Sequence, residues 1–138
     1  MEIREVSSEQ LTPTLEGILD AQQLAAGFPQ EAASNIGFGL YQGAALVGGL
    51  TAKITMETAH ISLLALAESV RGQDWGTKLL LQAEQTFKKL DIKNVTLTTR
   101  SYQAKGFYEK QGYDLFAELA DVPQVGITRY YFIKRLSD

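Results

Sequence analysis

The sequence predicts an α/β sandwich, on three observations. Apolar residues alternate in several short runs separated by turn signals. One continuously apolar run leads through a glycine-bearing turn into a strongly amphipathic helix. A further short strand follows that helix, so the middle of the chain reads as a strand–helix–strand crossover. In chain order, Glu2–Val6 reads as a short strand. Thr12-Pro13 then reads as a cap followed by proline at the first helical position. Leu11, Leu15, Ile18, Leu19 and Ala25 recur at helical spacing, which predicts a helix to about Ala26, and Gly27–Asn35 reads as a loop. Ile36, Phe38 and Leu40 alternate, Gln42-Gly43 marks a turn, and Ala45 to Ile54 reads as the return strand. Ala59–Ala67 is apolar without interruption around Leu63–Leu66, which predicts a strand buried on both faces.

After the turn Arg71–Gly76, residues Trp75, Leu79, Leu80, Ala83, Phe87 and Leu90 trace one face of a long helix. Val95 and Leu97 belong to a short strand. Ala104, Phe107, Tyr108 and Gln111 fit a second helix of the crossover region, closed by Gly112. Tyr113–Leu119 and Arg129–Lys134 read as strands around an Asp121–Gly126 turn.

Composition narrows the function. The 138 residues suit a single domain spanning 1–138, and 45% hydrophobic with 21% charged residues is globular composition rather than disorder. With no cysteine and His60 as the one histidine, the chain offers no thiol nucleophile, no disulfide scaffold and no Cys/His metal site. The net charge of −3 argues against nonspecific nucleic-acid binding. That charge is uneven: residues 1–70 carry two basic against eight acidic side chains, and residues 71–138 carry eleven against eight. A polyanion is expected to prefer the second half and a cationic partner the first. No apolar run reaches the length of a membrane span and the first residues lack the order of a secretory signal, so the expectation is a cytoplasmic protein.

The most informative segment runs from Leu63 to Leu80. A strand ends, a short loop with Gly72 and Gly76 follows, and a helix begins at Trp75. The first amides of a helix have no partner within it, and the helix dipole adds partial positive charge there. Arg71 adds a fork of charged donors. These features suit a pyrophosphate, and they suit equally a tight strand-to-helix connection with an exposed arginine. The loop is neither a Walker loop, since Thr77 follows the last glycine directly, nor a dinucleotide fingerprint, since the G-x-G opening is missing.

Arg71-Gly72-Gln73-Asp74-Trp75-Gly76 resembles the Gln/Arg-x-x-Gly-x-Gly/Ala motif of the Gcn5-related N-acetyltransferases. The stretch from Ser101 through Phe107-Tyr108-Glu109-Lys110-Gln111-Gly112-Tyr113 is similar to a second segment of that family, and the residues from Gly126 to Leu136 resemble its last strand in small bacterial members. The resemblance extends from about Ala59 to the end. It implies a mixed central sheet of six to seven strands flanked by helices. It implies an enzyme that moves the acetyl group of acetyl-CoA to an amine of a small molecule or peptide by direct attack, with no metal. Nucleic acid and membrane are not expected partners, and a homodimer accords with the family. A non-catalytic coenzyme-binding sensor and a plain interaction module are the rival expectations.

Carried over by position, the backbone of Leu64–Leu66 pairs with the pantetheine arm and polarises the thioester carbonyl. Residues Arg71, Gly72, Gln73, Asp74, Trp75, Gly76 and Thr77 hold the pyrophosphate, and Ser101 stands where the family usually has asparagine. Tyr108 is the expected acid for the leaving thiolate; its alternative role is to fill the core at helical spacing beside Phe107. Asp74 replaces a family glycine. Its carboxylate repels phosphate, so its side chain is expected to cap the helix amides, with coenzyme binding weakened but present. Ser62 occupies the position of a frequent catalytic glutamate. Glu57, His60, Glu68 and solvent are the remaining candidates for the base. Trp75 stacks on the coenzyme or packs at the helix start, and Arg129 reads as a substrate contact or, in preference, as a solvated edge residue.

Overall fold

The computed structural model describes residues 1–136, in two units, Met1–Ala32 and the residues from Ala33 onward. In the first unit, α1 spans Ser8–Ala25. It starts earlier than Thr12-Pro13 suggests, because Ser7 is the cap: its Oγ accepts from the Gln10 amide at 3.2 Å. Ser7 and Gln10 have capping-box spacing. Pro13 therefore lies inside the helix, where it forfeits one backbone bond rather than opening the first turn. Glu2–Val6 does not form the expected strand; it is irregular, and a strand exists only where a neighbour completes its hydrogen bonds.

The second unit is a six-stranded sheet in the order β1-β2-β3-β4-β6-β5. Its strands are β1 Ser34–Gln42, β2 Ala45–Thr55, β3 Thr58–Leu66, β4 Asn94–Arg100, β5 Asp114–Ala120 and β6 Thr128–Arg135. The first three form an antiparallel meander, and β4, β6 and β5 pair antiparallel. Between these halves β3 and β4 run parallel, joined by α2, Trp75–Lys89. A short helix, α3 (Lys105–Lys110), links β4 to β5, and Gly112 at φ 87° ends it in the left-handed conformation.

One face of the sheet carries the core. Leu50 and Ala52 of β2, Ala59 and Ile61 of β3, Val95 and Leu97 of β4, and Phe132 of β6 pack with Leu80, Ala83 and Phe87 of α2 and with Tyr108 and Tyr113. A partly buried ion pair fixes α2 to β6: Lys134 Nζ lies 2.8 Å from the buried Glu84 Oε1, and it also donates to the Gln111 carbonyl at 2.9 Å. The Tyr113 hydroxyl donates to Glu84 Oε2 at 2.8 Å. Burial first, then the Glu84 carboxylate, push the Tyr113 phenol well above its usual range.

The expectation that Leu63–Leu66 are buried on both faces is corrected. Leu63 is 68% exposed. The β2–β3 register places Thr51 opposite Leu63 and Ala52 opposite Ile61, so Ser62 is an extra residue, a β-bulge. A bulge bends its strand and breaks the alternation of faces. Pairing of β3 with β4 stops just before it, at His60 and Thr96. Beyond that point the two parallel strands diverge.

Candidate functional site

The divergence of β3 from β4 opens a cleft of about 670 Å³. Ile61–Leu66 form one wall, Leu97–Thr99 the other, and Tyr102, Phe107 and Tyr108 close the end near α3. Among the described residues the edge of β3 that faces this cleft has no partner strand past His60, so backbone groups there, other than the Leu66 carbonyl bonded to Arg71, are open to an extended ligand. Such a volume suits an organic ligand rather than a few waters.

The cleft leads to the loop before α2. Among the described residues, the amides of residues 72 to 77 have no hydrogen-bond partner; the first paired amide is Lys78, donating to the Asp74 carbonyl at 3.1 Å. Gly72 at φ 75° bends the loop, and nothing lies within 4 Å of where its side chain would be. Gly76 packs beside Phe107: a Cβ there would meet its ring at 3.4 Å, an ordinary contact. Arg71 Nε donates to the Leu66 carbonyl at 3.0 Å, which ties the end of β3 to the loop and leaves its other donors available. The Thr77 hydroxyl accepts from Gln111 Nε2 at 3.1 Å, joining the first turn of α2 to the end of α3.

Asp74 corrects an expectation. It sits at the cap position of α2 but makes no side-chain bond to the helix. Its φ of 64° is left-handed, whereas a capping side chain reaches its amide from an extended backbone. The carboxylate thus flanks the free amides without satisfying them. Trp75 is half-buried, with Lys78 Nζ 4.2 Å from its ring centre, which agrees with packing at the helix start.

Tyr108 lines the cleft from α3 and is 6% exposed. The rings of Phe107, Tyr113 and Phe132 hold it at centroid distances of 5.1, 5.8 and 6.0 Å. Its hydroxyl has no partner among the described residues, and burial raises its pKa to about 12. It is therefore both a core residue and a protonated donor at the cleft wall.

Of the expected site residues, Leu64, Leu66, Arg71, Gly76 and Tyr108 line the cleft, while Gly72, Gln73 and Asp74 on the adjoining loop and Trp75 and Thr77 in the first turn of α2 lie outside its lining. Ser101 lies outside its lining: the Ser101 hydroxyl accepts from the Thr128 amide at 3.2 Å and anchors the start of β6. His60 also lies outside. Its Nδ1 shares a 2.8 Å hydrogen bond with Thr96 Oγ1, and burial, then the Arg129 charge, lower its pKa. Glu57 and Glu68 do not line the cleft, and Ser62 does.

Sequence reasoning missed Thr98, Tyr102 and Gln103. Gln103 Oε1 accepts from the Arg100 amide at 2.9 Å, a bond within the loop that shapes the cleft end. Arg129 is also corrected. β6 is an inner strand, Arg129 is half-buried, its Nη2 donates to Thr98 Oγ1 at 3.3 Å, and its enclosed Nε has no partner among the described residues. An enclosed, unpaired donor costs about 1–3 kcal/mol. Among the described residues no group of His, Asp and Glu is arranged to hold a metal.

Residues 3–121 match the family described as Acetyltransferase (GNAT) domain. Blasticidin-S acetyltransferase of Streptomyces morookaense is 33% identical over 92 residues, covering 66% of this chain and 67% of that protein. The crystal structure of an acetyltransferase from Bacillus cereus ATCC 14579 superposes with a TM-score of 0.85 at 23% identity, over 99% of this chain and 98% of the other. The PaiA N-acetyltransferase of Thermoplasma acidophilum in complex with coenzyme A gives 0.63 at 20% identity, over 95% and 80%.

Proposed function

This chain belongs to the GNAT acetyltransferase family, and from that premise we propose which of its residues carry out the transfer. The protein is an acetyl-CoA-dependent N-acetyltransferase acting on an amine. The observation that supports the residue assignment is the continuity of an unpaired strand edge and a phenol along one cleft with the six unpartnered amides of the loop and helix start that adjoin it.

When bound, acetyl-CoA supplies a thioester whose carbonyl carbon an amine attacks and whose sulfur departs as a thiolate. The free β3 edge at Leu64–Leu66 holds the pantetheine arm in strand-like fashion, and an amide of that edge polarises the carbonyl. The amides from Gly72 to Thr77, with Gln73 and Trp75 between them, hold the pyrophosphate together with Arg71. Asp74 weakens that hold by repulsion. Tyr108 keeps its proton across the physiological range and delivers it to the leaving sulfur. The thiolate of a thiol of pKa about 8.5 is a weaker base than this phenolate, but burial in the same cleft raises the thiol too and narrows the gap. The amine's own proton passes to solvent, and the phenol regains one from solvent when the product leaves. Ser101 acts by fixing the β4–α3 loop rather than by touching the coenzyme.

The acceptor is an amine on a small molecule, a class that the blasticidin-S acetyltransferase relative supports. No helix of the described residues is long and apolar enough to cross a membrane, and a cytoplasmic location, a homodimer and one domain over both units complete the proposal. The test is calorimetry with acetyl-CoA, followed by thiol release with a panel of amines for wild type and Tyr108→Phe. Heat of binding and amine-dependent thiol release are expected. Absence of heat would overturn the assignment of the cleft.

A further inference from the structure

Two arginines stand beside the cleft, outside its lining, and neither has an ion-pair partner among the described residues. Arg100 of β4 and Arg129 of β6 are directly opposed across the antiparallel pair, so their side chains leave the same face of the sheet. Like charges in that position repel. Among the described residues neither forms an ion pair. Their bonds go to neutral groups instead: Arg129 Nη2 to Thr98 Oγ1 at 3.3 Å, and Arg100 Nη1 to the Tyr102 hydroxyl at 2.8 Å. Both acceptors belong to residues that line the cleft. Arg129 lies alongside Tyr131, 5.8 Å from the ring centre, and keeps an enclosed Nε–H without an acceptor.

Each feature has the same chemical consequence. Two half-buried arginines held only by neutral oxygens carry positive charge that an oxyanion would balance. The pair is also remote in role from the free amides before α2, since it stands on β4 and β6 rather than on the loop after β3. We infer that Arg129, with Arg100 beside it, receives a carboxylate of the acceptor, so that the amine acetylated by this enzyme belongs to a molecule bearing both an amine and a carboxylate. The Arg129 guanidinium offers a carboxylate a charge-assisted hydrogen bond, and the acceptor's amine then lies toward Thr98 and the diverging strands. This inference rests on the acetyl-transfer reading of the cleft.

The experiment uses the full chain and a panel of amino acids, each paired with its own carboxamide, with coenzyme binding measured separately by calorimetry. In wild type the acid of a pair is expected to exceed its amide in kcat/KM on the order of a hundredfold. Arg129→Gln should raise KM for the acid on the order of tenfold or more while KM for acetyl-CoA and kcat/KM for the amide hold. Arg100→Gln should act in the same direction, more weakly. Equal use of acid and amide by wild type overturns the inference and leaves acetyl transfer intact. So does an Arg129→Gln enzyme that loses both substrates alike. If that variant does not fold, the acid-to-amide ratio of wild type decides alone. Coenzyme binding without turnover of any member of the panel counts against the acetyl-transfer reading itself, and this inference falls with it.

Discussion

Asp74 holds a left-handed backbone, φ 64°, that its side chain does nothing locally to compensate. Glycine adopts that conformation freely, so Asp74→Gly is expected to stabilise the fold by about 0.5–1 kcal/mol and to tighten acetyl-CoA binding by removing a charge beside the amides. Thermal denaturation and calorimetry check both. A lower melting temperature would mean that the carboxylate caps the helix after all. Tyr108 gives the second prediction at this scale. Because its hydroxyl bonds to nothing among the described residues, Tyr108→Phe should leave stability almost unchanged while kcat falls by about 10²–10⁴. With the phenol at about 12, the ratio of wild-type to variant rates should stay flat from about pH 6 to about pH 9. A raised tyrosine pKa also sets a stability limit: the folded state retains the proton where the unfolded chain releases it. That contribution is complete below about pH 10 and is lost as pH rises toward 12, and Tyr108→Phe should make alkaline unfolding shallower. The family motifs, rather than residue identity alone, pointed to Tyr108 and to the loop from Arg71 to Thr77; Tyr108 stands at the cleft wall, and Arg71 and Gly76 line the cleft beside it. The sign of φ at Asp74 is not written in its identity, and the capping expectation failed for that reason.

Elements were legible where their signal is local. The amphipathic stripe of α2 and the glycine that ends α3 needed no knowledge of neighbours. Failures came where a long-range partner decides. The bulge at Ser62 exists only in the pairing of β2 with β3, and it exposes Leu63 despite an apolar run that reads as buried. Arg129 was misread because strand order, not chain order, puts β6 inside the sheet. The Glu84–Lys134 pair is another partnership of this kind, 50 residues apart in the chain. Glu84 is 5% exposed and serves Lys134 and Tyr113 together. Removing one partner leaves an uncompensated buried charge, so Lys134→Met is expected to cost about 3–5 kcal/mol. Glu84→Gln, which retains an acceptor for Tyr113, should cost less. Urea denaturation of the two variants checks the order. Equal and small losses would mean that apolar packing alone fastens α2 to β6.

At the scale of the molecule, charge follows the division of labour. The half of the chain from Arg71 onward carries eleven basic side chains against eight acidic, within a protein of net charge −3. That half also contains the free amides before α2, Arg71 and the arginines of β4 and β6. A ligand with several phosphate charges is expected to bind through these local donors despite the net negative charge of the chain. The field of charged donors acts over a distance of about 10 Å at 0.1 M salt and about 3 Å at 1 M. Hydrogen bonds from buried-edge backbone to a pantetheine arm carry no net charge and escape that screening. Acetyl-CoA at about a hundred times its dissociation constant should raise stability by about 2.7 kcal/mol. For a chain of this size that is a rise in melting temperature of roughly ten degrees. Raising salt at fixed ligand should shrink the rise substantially without abolishing it, because the phosphate contribution is screened and the strand-edge contribution persists. Differential scanning calorimetry across a salt series reads both parts. A thermal shift indifferent to salt would exclude the amides and Arg71 as the holders of the phosphates. One that vanished at high salt would exclude the free edge of β3 as a binding surface.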